Sequence, residues 1–288
     1  RTNTDEAVGT YEGVITAEYT ANNNYSVTVD NGDFTINKAN RPAEKQIVVT
    51  DYSGTYDGEG HGVTVTGNDL PGDETWYSTD GENWSKDAPE RTNAQDAETI
   101  YVKVTNPSYN DGTDEGAIAI AKKSVTITVD NSSKVYGTED PTFSGTISGL
   151  VDEGDLGTVT YKRTNTDEAV GTYEGVITAE YTANNNYSVT VNNGDFKINK
   201  ASGNIINDPD GNPIDGKSFT KVYDGEELTT TAVPTYKEGT TVSYSTDGGQ
   251  TWTTTPPSRT DVGTTTVKVK AENPGYETTE ATYTLTVT

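Results

Sequence analysis

The residues of this chain with the clearest claim to chemistry are few. Ser245-Thr246-Asp247-Gly248-Gly249-Gln250-Thr251-Trp252 fits the pattern S-x-D-x-G-x-T-W, the Asp-box found in sialidases. In that pattern the Asp caps a hairpin turn and the Trp packs beneath it, so the motif itself is a stabilising device. Only one complete copy occurs; Ser78 to Trp84 is one residue shorter, and there is neither a propeller period nor an arginine triad. The single histidine, His61, sits among glycines in Glu59-Gly60-His61-Gly62 and reads as a solvated turn residue. Catalysis needs an acid, base or nucleophile held in a pocket, and with 45 acidic residues the mere proximity of two carboxylates means little. No enzyme is expected.

Two patterns suggest binding or crosslinking. Asp208, Asp210 and Asn212 place oxygens at alternate positions, the donor set of a hard cation such as Ca²⁺. Counted from Asp208, however, Pro213 and Phe219 stand where an EF-type loop carries its Gly and Glu, and the competing reading is a string of Asp-Gly and Asn-Pro turns. Ca²⁺ is the one cofactor the sequence offers. Lys134 and Lys221 lie on early strands and Asn273 lies late, the arrangement of a Lys-Asn isopeptide crosslink. Trp76 and Tyr77 are the candidate ligand contacts. If Tyr77 faces the core, the period-two alternation of a strand turns Trp76 outward; packing against a neighbouring segment is the rival reading.

The elements that must carry these residues are strands. Hydrophobic residues make up only 30% of the 288, but they alternate with Thr and Ser in short runs, which builds half-buried strands from a lean composition. Val125, Ile127 and Val129 alternate this way, as do Thr265, Val267 and Val269, and again Ala281, Tyr283, Leu285 and Val287. Ala117 to Ala121 reads as an exit strand, and no stretch has a helical period. The Asp-Gly steps at 80-81 and 247-248 read as tight hairpin turns with φ > 0 at both central positions.

Net charge is -25, a surface that repels phosphate backbones and anionic headgroups, so nucleic acid and polybasic membrane docking are excluded. The same charge favours a soluble monomer. There are no cysteines, hence no disulfides and no thiolate sites. No apolar run approaches the 18 or so residues of a membrane span, and membrane insertion is not expected. Arg1 in first position, with no leader or sorting tail in view, reads as a cut from something longer.

Internal repetition sets the organisation. Residues 1-39 and 163-201 are the same sequence except for Asp30 against Asn192 and Thr35 against Lys197, an offset of 162. That period is too long for one solenoid unit and reads as a repeated pair of domains. Weaker echoes subdivide it: Tyr56-Asp57-Gly58, Tyr136-Gly137 and Tyr223-Asp224-Gly225 come early, while Asn106 to Tyr109, Asn185 to Tyr187 and Asn273 to Tyr276 come late. Modules are therefore expected at 40-122, 123-201 and 202-288, with 1-39 the back half of another. That half-module would fray, pack on 40-122 or pair with another molecule through its open edge. The links at 38-42, 122-123 and 200-203 are short enough to predict a stiff rod.

Lys134-Val135-Tyr136-Gly137-Thr138-Glu139-Asp140-Pro141, Asp261-Val262-Gly263-Thr264 and the Asn-x-Tyr turns resemble the MBG-type and related Ig-like repeats of bacterial surface adhesins. The resemblance covers essentially the whole chain through short motifs. It implies all-β, tandem immunoglobulin-like β-sandwich modules in an elongated rod, extracellular at the cell surface or wall. Such modules lift or present a binding domain; some members bind host glycoproteins or immunoglobulins directly. A host surface protein or glycan is then the expected partner, with 40-122, the most divergent module, the one to capture it. A more distant role is as accessory modules of a secreted carbohydrate-active enzyme. Independently of the resemblance, Glu168-Ala169-Val170-Gly171-Thr172-Tyr173 before an apolar strand looks like the tyrosine corner of Ig-like folds, with Thr265 in its place in the last module.

Overall fold

A computed structural model describes all residues, Arg1–Thr288. The chain is built from 23 strands and one short 3₁₀ turn, Ala43–Lys45, with no α-helix. It divides into two compact units: Arg1–Val125 with Gly149–Leu156 and Ala183–Val189, and Thr126–Ser148 with Gly157–Thr182 and Thr190–Thr288.

One four-stranded plan occurs three times. In the first unit, Tyr52–Thr55 runs parallel to Gly112–Ala121, which pairs antiparallel with Gln95–Thr105, and that strand pairs with Glu74–Ser78. In the second unit, Ser132–Val135, Gly194–Asn199, Gly171–Glu180 and Thr160–Arg163 repeat the order. So do Ser218–Lys221, Tyr276–Val287, Gly263–Asn273 and Thr241–Ser245. A short parallel edge strand beside an otherwise antiparallel sheet requires the chain to cross from one layer to the other, the topology of an Ig-like sandwich.

The second layers are thin. In the first unit Val48–Thr50 pairs with Thr64–Thr66. Its Val49 faces the long strand at Gly116, where an added Cβ would lie 2.6 Å from Val49 Cγ1, so a glycine is needed for the layers to meet. In the second unit the Thr126–Val129 part of strand Lys123–Val129 pairs with Gly145–Ser148, Ile206–Asn207 with Val233–Pro234, and Leu228–Thr229 with Ser258–Arg259.

The alternation read from sequence is the alternation buried. Ile100, Val102, Val104, Ile118 and Ile120 are each 2% exposed or less. Val267, Val269 and Ala271 meet Ala281, Tyr283 and Leu285 in one core with Ile206, Ile214, Ala232 and Tyr244. At roughly 25 cal/mol per Å² of apolar surface removed from water, these narrow stripes are the main source of stability in sheets whose other face is wet.

Residues 1-39 form a two-stranded hairpin, Gly9–Ile15 with Gly32–Ile36, bulged between Tyr11 and Ile15. The twin at 163-201 has the same bulge between Tyr173 and Ile177, formed where Gly175 adopts φ 61 and donates its N–H to Asp195 at 2.8 Å. Burial differs sharply between the copies. Ile177 is 0% exposed and Tyr187 4%, whereas their counterparts Ile15 and Tyr25 are 45% and 73% exposed. Tyr187–Asn192 is a strand; residues 25-30, identical except for Asp30 in place of Asn192, form none.

Candidate functional site

The two Asp-box segments close hairpins, but not the two-residue turns expected of Asp-Gly. Tyr77 exchanges backbone hydrogen bonds with Ser85 at 2.7 and 2.9 Å, and Tyr244 with Thr253 at 2.7 and 2.9 Å, so each loop is several residues longer. Only the glycines, Gly81, Gly248 and Gly249, take positive φ; no non-glycine residue does. The acids supply what the turn backbone lacks. Asp247 accepts the N–H groups of Gln250 and Thr251 at 2.9 and 3.0 Å and the Ser245 and Thr251 hydroxyls at 2.6 Å. Asp80 accepts the N–H groups of Glu82 and Asn83 at 2.8 and 2.7 Å and the Asn83 amide at 2.7 Å. The hydroxyl contacts and N–H donors hold the Asp247 carboxyl well below the usual carboxylate range, and the Asn83 donors do the same for Asp80. Both acids are committed to turn closure.

The turns deliver Trp84 and Trp252 to the outer face of the long strands, the strand Glu74–Ser78 presents Trp76, and each ring lies under a lysine. Lys103 Nζ lies 4.4 Å from the Trp84 ring centre, Lys86 Nζ 4.9 Å from Trp76, and Lys270 Nζ 4.8 Å from Trp252. Each such pair contributes about 0.5–1 kcal/mol at an exposed site. Trp76 opposes Lys103, while Tyr77 opposes the buried Val102, so the two candidates lie on opposite faces of the sheet. Trp76 is half-buried: Lys86 covers its ring, and its indole N–H is shielded from solvent with no acceptor. Within the first unit the result is a wet face bearing Trp76, Trp84 and two lysines, of which Lys86 is also ion-paired to Glu74 at 2.9 Å.

Of the candidate cation ligands Asp208, Asp210 and Asn212, the first is engaged within its own loop. The Asp208 carboxylate is buried and ion-paired to Lys217, and it accepts the N–H groups of Asp210 and Asn212 at 3.0 and 2.9 Å. Lys217 foremost, then the Asn212 N–H, draw its carboxyl below the usual value. Asp210 and Asn212 are exposed, and no three His, Cys, Asp or Glu side chains gather in one group. The geometry is that of an Asx turn. The isopeptide pattern is likewise not assembled. Lys221 Nζ pairs with Asp224 at 2.6 Å, Lys134 Nζ with Asp140 at 2.8 Å and with Glu168, and the Asn273 amide donates to Glu238 O and Thr240 Oγ1 at 2.9 and 2.8 Å. His61 stacks on Tyr52, centroids 4.1 Å apart, and its Nε2 meets Asp57 at 2.9 Å.

Some structural residues escaped the sequence reading. Arg41 and Asp73 form a buried pair, N to O 2.6 and 3.0 Å, with Arg41 also donating to Gly67 O and Lys45 O. Burial works to raise the Asp73 carboxyl, and Arg41, the Asn106 amide and the Leu70 N–H outweigh it and hold it low. The tyrosine corner is present where expected: Tyr173 Oη donates to Ala169 O and Tyr11 Oη to Ala7 O, both at 2.7 Å. Where Thr265 replaces the tyrosine, Arg259 closes the corner instead, donating to Thr265 Oγ1 at 2.9 Å and Val262 O at 3.0 Å. Gly263, at φ 137, leaves room for that guanidinium.

These sheets define the chain as a tandem of all-β, Ig-like sandwich modules. Residues 125–197 match the family model of the MBG domain (YGX type), which bears out the MBG-type resemblance over that stretch and contains the Tyr136-Gly137-Thr138 motif. No curated protein matches the sequence. Among solved structures, Sidekick-1 immunoglobulin domains 1-4 are similar at 13% identity over 87% of this chain and 76% of that one, TM-score 0.31. Drosophila OTK extracellular domains 3-5 match at 11% identity over 87% and 99%, TM-score 0.26. Three N-terminal domains of the bacteriophage RB49 Highly Immunogenic Outer Capsid protein match at 16% over 84% and 99%, TM-score 0.30. The fold class rests on the chain's own sheet order and burial. No helix is long and apolar enough to cross a membrane.

Proposed function

We propose that the chain is a non-catalytic repeat region of a bacterial surface adhesin, extracellular, acting as a stalk that presents or forms a host-binding surface. Its modules are 40-122, 123-201 and 202-288, preceded by the half-module 1-39. The observation that carries this reading is that the short links are tied down. Ala39 N–H donates to Ser108 O at 3.0 Å, Lys123 N–H to Asn186 O at 2.9 Å and Ala201 N–H to Gly275 O at 2.9 Å. In each case a link residue bonds to the residue before the tyrosine of an Asn-x-Tyr turn. A spacer works by resisting hinge motion, and links of this length with bonded backbones have few free dihedrals. Small-angle scattering on the full chain should give an extended particle whose maximum dimension is insensitive to solvent conditions. A compact globule or a broad distribution of dimensions overturns the reading.

A second reading is favoured by one feature, the lysine-capped tryptophan face of the first unit. Aromatic residues edged by cations suit contact with a protein or a glycan ring. On this reading module 40-122 itself captures a host glycoprotein, immunoglobulin or glycan. Immobilised chain should retain a ligand from a glycan array or from purified host surface proteins, and Trp76→Ala together with Trp84→Ala should abolish retention without altering the melting temperature by more than a few degrees. Retention unchanged in that double variant removes the face from consideration.

A further inference from the structure

A joint occurs twice in this molecule with the same atoms. In the first unit, Tyr56 N–H donates to Ala121 O at 2.9 Å, two residues further on Lys123 N–H donates to Asn186 O, and the Tyr56 ring meets the next residue, Tyr187, edge to face with centroids 5.4 Å apart. In the second unit, Tyr136 N–H donates to Asn199 O at 2.8 Å, Ala201 N–H donates to Gly275 O, and the Tyr136 ring meets Tyr276 edge to face at 5.7 Å. Tyr276 in turn stacks on Tyr236 at 4.2 Å. Gly275 has no side chain because the Tyr136 ring occupies the place of its Cβ. A turn glycine follows each early tyrosine, Gly58 at φ 87 and Gly137 at φ 79.

Tyr223 has every local element of this joint and no ring to meet. Its N–H donates to Thr288 O at 2.8 Å, the counterpart of Ala121 and Asn199, and Gly225 follows at φ 85. Yet Tyr223 is 55% exposed, while Tyr56 is 9% exposed and Tyr136 is half-buried. We propose that Tyr223 forms a docking face for the Asn-x-Tyr turn of a further β-sandwich module, seated as Tyr56 and Tyr136 seat the turns they meet. The occupant is defined by chemistry: a tyrosine that meets Tyr223 edge to face, one residue after a backbone carbonyl that accepts the link N–H. This inference rests on the modular reading; a chain that proves extended while Tyr223 stays free would remove the docking face and leave that reading standing.

Hydroxyl-radical footprinting read by mass spectrometry tests it. Two extended chains are compared with the 288-residue chain: one carrying a copy of residues 122-201 after Thr288, the other a copy of residues 200-288. Oxidation of Tyr223 should fall several-fold in an extended chain, and Tyr187→Ala in the appended copy of 122-201, or Tyr276→Ala in the appended copy of 200-288, should restore it. Tyr56 is the slow internal reference and Tyr25, 73% exposed, the fast one. Tyr223 reacting at its original rate in both extended chains overturns the proposal. So does protection of Tyr223 and Tyr25 together, rising with concentration in the 288-residue chain, which would make a second copy the occupant.

Discussion

A single carboxylate can replace a missing stretch of ladder, and Asp247 does so for the loop it closes. Its side chain answers backbone N–H groups that the hairpin leaves unpaired, and those bonds are made only by the ionised form. The folded-state pKa is therefore depressed, so the stabilisation is fully present above the ordinary value of 3.8 and is lost as the pH falls through the lower folded value. The Thr251 amide resonance should hold its position through pH 4 and move only at lower pH; a midpoint near 3.8 would show that the carboxylate does not hold the turn. Arg41 and Asp73 are a harsher case, because both side chains are nearly inaccessible, 3% and 2% exposed. Removing one partner strands the other charge, and Arg41→Ala should cost about 3–5 kcal/mol in denaturant unfolding of the module it enters. A loss below about 1 kcal/mol would mean that water reaches the vacated site. This pair was not legible in the sequence. Its members are 32 positions apart, and neither residue type is ordinarily buried.

At the scale of the element, the two copies of one 39-residue sequence show that a strand is a property of its neighbours as much as of its residues. Thr160–Arg163 and Ser132–Val135 flank the second copy, and with them in place Ile177, Phe196 and Ile198 are 0–1% exposed. In the first copy Arg1 covers Phe34 at 4.5 Å much as Arg163 covers Phe196 at 4.7 Å, and little else of that setting is present. Ile177→Ala should therefore cost about 2–5 kcal/mol, and Ile15→Ala, the same change in the same local sequence, within about 0.5 kcal/mol. Hydrogen exchange resolved by segment can measure both in one molecule, and equal effects would contradict the burial difference. The alternating strands at 117-121, 125-129, 265-269 and 281-287 were legible because each has one dry face, which writes a period of two into the residues. The hairpin geometry at 80-81 and 247-248 was not, since the Ser78 and Ser245 hydroxyls and the Asp carboxylates draw in a longer loop than Asp-Gly alone would make. The Arg259 closure was hidden for a similar reason: a guanidinium six residues from Thr265 does the work of a phenol, and nothing in residue type signals the exchange.

For the molecule as a whole, the dominant quantity is charge. At -25 over 288 residues the folded chain repels itself, and added salt should relieve that repulsion. Raising NaCl from about 10 mM to about 150 mM shortens the screening length from about 30 to about 8 Å, so the melting temperature should rise. The exposed ion pairs Lys162–Glu180 and Lys86–Glu74 oppose this through their own screening, but such pairs contribute at most about 1 kcal/mol each. A melting temperature that falls with salt would mean that attraction, not repulsion, dominates the surface. Millimolar Ca²⁺ should add nothing beyond this ionic-strength effect, because Asp208 already has Lys217 as its counter-ion.

The near-identity of residues 1-39 and 163-201 carries a kinetic consequence. A nascent or refolding chain holds two interchangeable applicants for one vacancy, the cleft formed by residues 160-162 and Ser132–Val135. The wrong applicant would fit almost as well, differing only at Asp30 and Thr35, and would strand the rightful one. Sequence identity between segments so far apart in one polypeptide thus builds in a route to strand exchange, within a chain or between chains, that divergent repeats avoid.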